Sequence, residues 1–159
     1  MRAKSIHEFN SALIGMIMGD GSITKYGNAM YLRHGEKQFD YVDGKVDYLS
    51  NYITPRSLRE SIDNRGFKYR YAYYNSKKLR YMKKYFYKDG KKVFPKNILN
   101  RINSISLAFF YMDDGCLSLG KDKKGCINRR NIYLSTHCFS LEEIQEFQKI
   151  LEKKFNIFS

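Results

Sequence analysis

The chain has 159 residues, one ordinary domain's worth: enough for a core, too few for two large domains. It carries 29 Lys+Arg against 16 Asp+Glu, a formal net charge of +13. That excess excludes an acidic disordered tail, argues against a simple small-molecule enzyme, and points to a polyanionic partner.

The three cysteines, Cys116, Cys126 and Cys138, form no CxxC pair and predict reduced thiols. A basic start at residues 1–4 and an apolar run at 12–19 imitate a signal peptide, but His7, Glu8 and Asn10 interrupt the approach and the run is too short to span a bilayer. No targeting or membrane segment is read, and the expected setting is intracellular: bacterial or phage-infected cytoplasm, or an organelle matrix.

In chain order, Ser5 with Glu8 three residues on is a capping box that opens a helix carrying Phe9, Leu13, Met16 and Ile17 and ending at Gly19-Asp20-Gly21. A hairpin pattern follows, with residues 22–25 and 29–34 as strands; Tyr31 and Arg33 share one face, Met30, Leu32 and His34 the other. Val42, Val46, Leu49 and Ile53 mark a helical face that Pro55 stops. A second hairpin spans 57–75, with Lys68 and Arg70 alternating with Tyr69 and Tyr71. Ser76 caps a helix with Leu79, Met82 and Phe86 inside, and Pro95 opens a short helix with Ile98, Leu99 and Ile102. A helix starting at Ser104 or Ser106 runs through Leu107, Phe109, Phe110 and Met112 into Asp113-Asp114-Gly115. Strands at 117–119 and 131–136 flank a basic loop, and a capping box of Ser140 and Glu143 opens a last amphipathic helix. The plan is α+β and repeats itself, with a first unit over 1–103 and a partial second over 104–159.

Charge is concentrated. Residues 65–101 hold thirteen Lys/Arg against one acid, Asp89, together with seven of the fourteen tyrosines. Interleaved cations and aromatics suit nucleic acid, through phosphate contact and packing on sugars or bases.

The repeat carries the chemistry. Residues 13–21 (LIGMIMGDG) and 107–115 (LAFFYMDDG) are two apolar helical blocks ending in Asp-Gly, with Asp20 matching Asp114 at an offset of 94. The small residues Gly15, Gly19 and Ala108 let the two helices approach closely. Each would then place an Asp at its C-terminal end, where the helix dipole disfavours a carboxylate and the two acids repel. A divalent cation relieves both effects, and hard oxygen ligands favour Mg²⁺ or Mn²⁺ over Zn²⁺. Two acids holding such an ion beside a basic sheet suit phosphodiester cleavage.

These blocks resemble the name motifs of the LAGLIDADG homing endonucleases, most closely the single-chain branch with two motifs. Residues 91–99 look like that family's run into its second motif, and residues 131–136 and 139–143 like the segment after it. The resemblance implies an αββαββα repeat, used twice, whose saddle-shaped antiparallel sheets straddle double-stranded DNA. It implies a site-specific endonuclease, usually intron- or intein-encoded. Asp20, Asp114 and Lys92 match the family's active-site positions; Asp20 and Asp114, with Gly19 and Asp113 beside them, are the expected metal neighbourhood, Asp113 at most indirectly. Lys25, Arg33, Lys68, Arg70, Lys121, Lys123, Arg129 and Arg130 are the expected DNA contacts.

Only 45 residues follow Asp114. They hold two strands and a helix, so the second repeat is expected to be incomplete: the chain is a truncated form of a longer product, is completed by another chain or copy, or is degenerate. The alternative is a weak or inactive nucleic-acid-binding remnant, or an RNA-splicing maturase that takes intron RNA on the same fold. Cys116, Cys126, His137 and Cys138 match no zinc-finger spacing, and His7 and His34 read as ordinary surface or strand residues.

Overall fold

The computed structural model describes residues 1–122 and 124–158. Lys123, an expected DNA contact, lies outside them. The first unit comprises α1 (Ile6–Met18), β1 (Ser22–Ile23), β2 (Ala29–Gly35), a 3-10 turn (Glu36–Gln38), α2 (Phe39–Leu49), β3 (Ser57–Ile62), β4 (Lys68–Asn75) and α3 (Lys78–Phe86). A connector follows: β5 (Tyr87–Lys88), β6 (Lys91–Lys92) and α4 (Lys96–Leu99). The second unit has α5 (Ser104–Asp114), β7 (Gly115–Lys121), β8 (Ile127–Leu134) and α6 (Leu141–Phe155). The α+β plan is the expected one, built on a four-stranded antiparallel sheet ordered β1-β2-β4-β3 and a β7-β8 ribbon.

Local chemistry sets the boundaries. The Ser5 hydroxyl accepts from the Glu8 N–H at 3.2 Å, and the Glu8 carboxylate accepts from the Lys4 N–H at 2.7 Å. Asn103, rather than either serine, caps α5: its side chain accepts from the Ile105 and Ser106 N–H groups. The β5–β6 hairpin turns at Asp89-Gly90, both at positive φ (50° and 78°), the Asp-Gly signature of a two-residue hairpin loop. β7 and β8 run longer than expected. Their loop tightens because Asp122 accepts from the Lys124 and Cys126 N–H groups.

The sheet register separates two faces. Arg33 pairs with Tyr71, Tyr31 with Tyr73 and Arg59 with Tyr71, so these side chains share the open face. Met30, Leu32, Ala72 and Tyr74 take the other face and are buried in the core, where α2 packs on β2 and β4. Two expected DNA contacts fall on the wrong side. Arg70 shares the helix-facing side with Ala72 and is held by Asp43 of α2 and by Glu60, each at 2.5 Å. Arg130, two residues from Ile132, lines an apolar groove with Phe147 and Leu151 of α6. Period-two alternation moves both off the open face. Arg129 keeps the polar face of β8, opposite Gly120.

The connector ties the units together. Phe94 stacks on Phe139 at 3.6 Å between ring centroids, and Phe147 lies 5.0 Å away. Phe110 of α5 meets both Phe94 and Phe147 edge-on. This aromatic cluster is the core of the second unit, whose β8 is otherwise exposed along nearly its whole length. Truncating Phe110 to Ala should cost about 3–5 kcal/mol, read as a melting-temperature drop of roughly 10 °C. Ile132→Ala on the exposed ribbon should shift it by no more than about 1–2 °C.

Candidate active site

The site forms where α1 and α5 end side by side. Their contact depends on missing side chains: a methyl added at Gly15 would overlap the Ser106 carbonyl, and one at Gly19 would overlap the Asp113 side chain. Farther up, the Asn103 amide donates to the Ser11 hydroxyl across the same interface at 2.8 Å. Gly19 and Gly21 then close α1, their N–H groups donating to the Gly15 and Met16 carbonyls. Asp20 is thereby presented beyond the helix end, and Asp114 occupies the last position of α5.

Asp113 is the buried centre of the site. Its side chain has no exposed surface. One carboxylate oxygen accepts from the Lys45 ammonium at 2.5 Å and the Tyr41 hydroxyl at 2.7 Å; the other accepts from the Asp20 N–H at 3.1 Å. Lys45, also fully buried, lies 2.7 Å from His34 Nε2. The ammonium is a donor only, so His34 accepts at Nε2 and carries its proton on Nδ1. Nδ1 lies 3.2 Å from the Gln38 amide oxygen and 3.5 Å from an Asp20 carboxylate oxygen. Burial, then Lys45, lowers the His34 pKa, which makes the ring neutral at pH 7. Burial likewise lowers Lys45, with Asp113 pulling in the opposite direction.

This alters the expected metal neighbourhood. Asp20, His34 and Asp113 do offer ligand atoms within 4.8 Å of one another. Asp113, however, is already satisfied by Lys45, Tyr41 and the Asp20 backbone, so it anchors Asp20 rather than serving as an open ligand. The Gly19 carbonyl is also taken, accepting from Lys92 Nζ at 2.6 Å. A fixed ammonium there opposes a second cation. Lys92 donates to the Gly21 carbonyl at 3.0 Å as well, bracing the turn that carries Asp20.

Asp20 and Asp114 remain unneutralised. Among the described residues, only His34 meets Asp20 at ion-pair distance, and no cation meets Asp114. Burial, then the Asp113 charge, raises the Asp20 carboxyl above the ordinary carboxylate range; His34, Lys45 and Lys92 partly oppose this. Asp114 is pushed up to about 6, first by burial and then by Asp20 and Asp113. These are strained anions with hard oxygen donors, a chemistry that accepts a divalent cation.

A groove of about 730 Å³ leads from Asp20 across the open sheet face, lined by Ser22, Tyr31, Arg33, Tyr69 and Tyr71. Arg33 lies 3.6 Å over the Tyr69 ring, Lys68 stands at the groove's rim 3.8 Å from Glu36, and Lys25 is exposed in the β1–β2 turn. Lys121 and Arg129 lie on the β7–β8 ribbon. The cysteines are free and exposed.

His34, Lys45 and Tyr41 escaped the sequence reading. His34 was placed on the Met30/Leu32 face, and its presence on an apolar face was the available signal. Lys45 falls between Val42 and Leu49 on the apolar stripe of α2, a position where a lysine needs a buried partner. Tyr41 carried no signal.

Two measurements test this geometry. Lys45→Met should destabilise the fold by about 3–5 kcal/mol, since it strands the Asp113 charge. Adding Asp113→Asn should recover part of that loss in a thermal melt, because it removes the stranded charge, although the single amide oxygen can accept from only one of the two donors, Tyr41 or the Asp20 N–H, that the two carboxylate oxygens hold. Asp114→Asn should stabilise the metal-free protein. With its folded pKa raised from 3.8 to about 6, the carboxylate opposes folding increasingly as pH rises through that window and fully above it. The variant should therefore melt a few degrees higher at pH 8 in chelator, on the order of 1 kcal/mol after discounting for partial exposure, with the gap closing near pH 4.

Comparison with known proteins agrees with this architecture. The model of the LAGLIDADG DNA endonuclease family matches residues 10–159. "Probable intron-encoded endonuclease 1" of Wickerhamomyces canadensis is 33% identical over 153 residues, covering 91% of this chain and 64% of that protein. "Cytochrome b mRNA maturase bI2" of Saccharomyces cerevisiae is 37% identical over 77 residues, 48% of this chain and 16% of the relative. The chain thus spans less than two thirds of the length of these curated relatives. Among solved structures, the homing endonuclease I-WcaI bound to its DNA recognition sequence superposes with a TM-score of 0.74 at 28% identity, covering 95% of this chain and 69% of that one. With paired Asp-Gly helices at its centre and a family match over nearly its whole length, the chain belongs to the LAGLIDADG DNA endonuclease family.

Proposed function

We propose that this chain is a site-specific double-stranded DNA endonuclease in which Asp20 and Asp114 hold the divalent cation, Mg²⁺ or Mn²⁺. One observation carries the reading: abutting helix ends carry two unneutralised carboxylates, and one of them, Asp20, lines a groove that opens onto an aromatic, arginine-bearing sheet face. Such a cation, when bound, lowers the pKa of a water and neutralises charge on the leaving oxygen.

The rest follows from the chain's own residues. Asp113 and Lys45 fix the Asp20 backbone from one side, and Lys92 fixes it from the other. His34 directs Nδ1–H toward Asp20 and Gln38, with its Nε2 lone pair already engaged. It is therefore a positioning residue and not a free base. Lys92 keeps one of its three N–H donors for a water or a phosphate oxygen. On the open face, Arg33, Lys25 and Arg129 would meet phosphates and base edges, with Tyr31 and Tyr71 packing beside them. Among the described residues the second unit has two strands where the first has four, so reading a full-length site would call for further strands beside β8, from a longer form of this chain or from another chain or copy. An RNA-splicing role is the second reading, favoured by the likeness to a cytochrome b mRNA maturase.

The test is a cleavage selection on a randomised duplex DNA library, in Mg²⁺ and in Ca²⁺, with the wild type and Asp20→Asn. The endonuclease reading expects wild type in Mg²⁺ to enrich a single long cut site. Asp20→Asn should lose on the order of 10³-fold in rate while still binding that site. If the wild type cuts nothing yet retains an intron RNA, and Asp20→Asn retains it equally, the splicing reading stands instead.

A further inference from the structure

Most of the positive charge does not lie on the open sheet face. Ten of the thirteen Lys/Arg in residues 65–101 fall within 76–101, which build α3, the β5–β6 hairpin and α4. α3 belongs to the helix layer, with Leu79 and Phe86 buried in the core beside α1. Three cations of the four-stranded sheet are neutralised, with Arg59 the exception: Arg33 faces Asp63, Lys68 faces Glu36, and Arg70 faces Asp43 and Glu60. Those of α3 are not. Lys77, Lys78, Arg80 and Lys84 are exposed, as is Arg101 after α4, and among the described residues none meets a carboxylate at ion-pair distance. An unneutralised row of this kind calls for an external polyanion.

The same place offers aromatic surface. A groove of about 880 Å³ runs between α1, α3 and the segment after α4, with Leu13, Met82 and Ile98 among its lining. Tyr81 and Tyr85 stand at its rim, 67% and 41% exposed. They are four residues apart on α3, one turn and about 6 Å of rise, so both rings lie on one face of the helix. Two exposed tyrosines beside lysines are a stacking platform for unpaired bases. A DNA duplex keeps its bases stacked within itself and has none to offer. RNA loops and single strands present them, and His7 and Asn10 on the same groove supply polar groups that a ribose 2′-hydroxyl can use.

We propose that the α1–α3 groove is a second nucleic-acid site, specific for unpaired RNA, on the side of the protein opposite the open sheet face. It stands independently of the cleavage reading, because it shares no residue with the Asp20/Asp114 site or with the saddle contacts. Both faces can then be occupied at once.

The test is fluorescence anisotropy with a labelled mixed-sequence RNA of about 20 nucleotides, the same sequence as single-stranded DNA, and the corresponding duplex. Three variants are compared: Tyr81→Ala/Tyr85→Ala, Lys78→Gln/Arg80→Gln/Lys84→Gln, and Arg33→Ala/Tyr71→Ala on the open face. All change at least partly exposed side chains, and melting temperatures verify the fold. Each α3 variant should lose RNA affinity about tenfold or more while holding duplex affinity within about twofold. The open-face variant should do the reverse, and RNA-saturated protein should still take up duplex. One-for-one competition between RNA and duplex, unchanged RNA affinity in both α3 variants, or single-stranded DNA binding as tightly as RNA would each overturn the proposal.

Discussion

The buried Lys45–Asp113 pair is the interaction on which the site depends. Lys45 comes from α2 of the first unit and Asp113 from α5 of the second, so the pair crosses the boundary between the two repeats. A buried ion pair is a poor source of net stability, because desolvating two charges offsets much of their attraction. Its contribution here is geometric. Asp113 also holds the Asp20 N–H, so one carboxylate fixes the helix end of the other repeat. Gly19 makes this possible by leaving open the space that Asp113 fills. The two motif copies have thus diverged in a complementary way: the position before the acid is a glycine in one and an aspartate in the other.

The pair also gives the site a gradient of neutralisation. Asp113 is compensated by a lysine and a tyrosine, Asp20 partly by a neutral histidine, and Asp114 by nothing at close range. Uncompensated charge therefore increases from the buried Asp113 to the exposed Asp20 at the groove and the half-buried Asp114. The acid used for structure is stabilised, and the other two are left without a full partner.

Much of this was legible in the sequence. The apolar blocks ending in Asp-Gly predicted two helices, and α1 and α5 form there with Asp20 just beyond one and Asp114 at the end of the other. The face assignment of Tyr31 and Arg33 follows from strand alternation. Arg70 and Arg130 were misplaced because charge was counted along the chain without applying that same alternation to them. The basic stretch was counted as one feature although its second half was read as helical: composition gives the amount of charge, whereas helix packing decides which side carries it. Lys45 was missed because an apolar stripe is read by its hydrophobic members, and a lysine among them is silent until its partner, 68 residues away in sequence, is placed. The β5–β6 hairpin is only two residues per strand, too short for periodicity to register, although its Asp-Gly turn was visible.

Lys92 lies two residues before Phe94, whose ring is stacked in the second unit and whose N–H is held by Glu143 at the start of α6. The lysine that braces the first unit's active turn is thus tethered to the last helix of the chain. The position of the ammonium therefore depends on the packing of α6. Any change that loosens α6 is transmitted through Phe94 to the turn that carries Asp20, so the geometry of the acids is set in part by a helix that belongs to neither motif block.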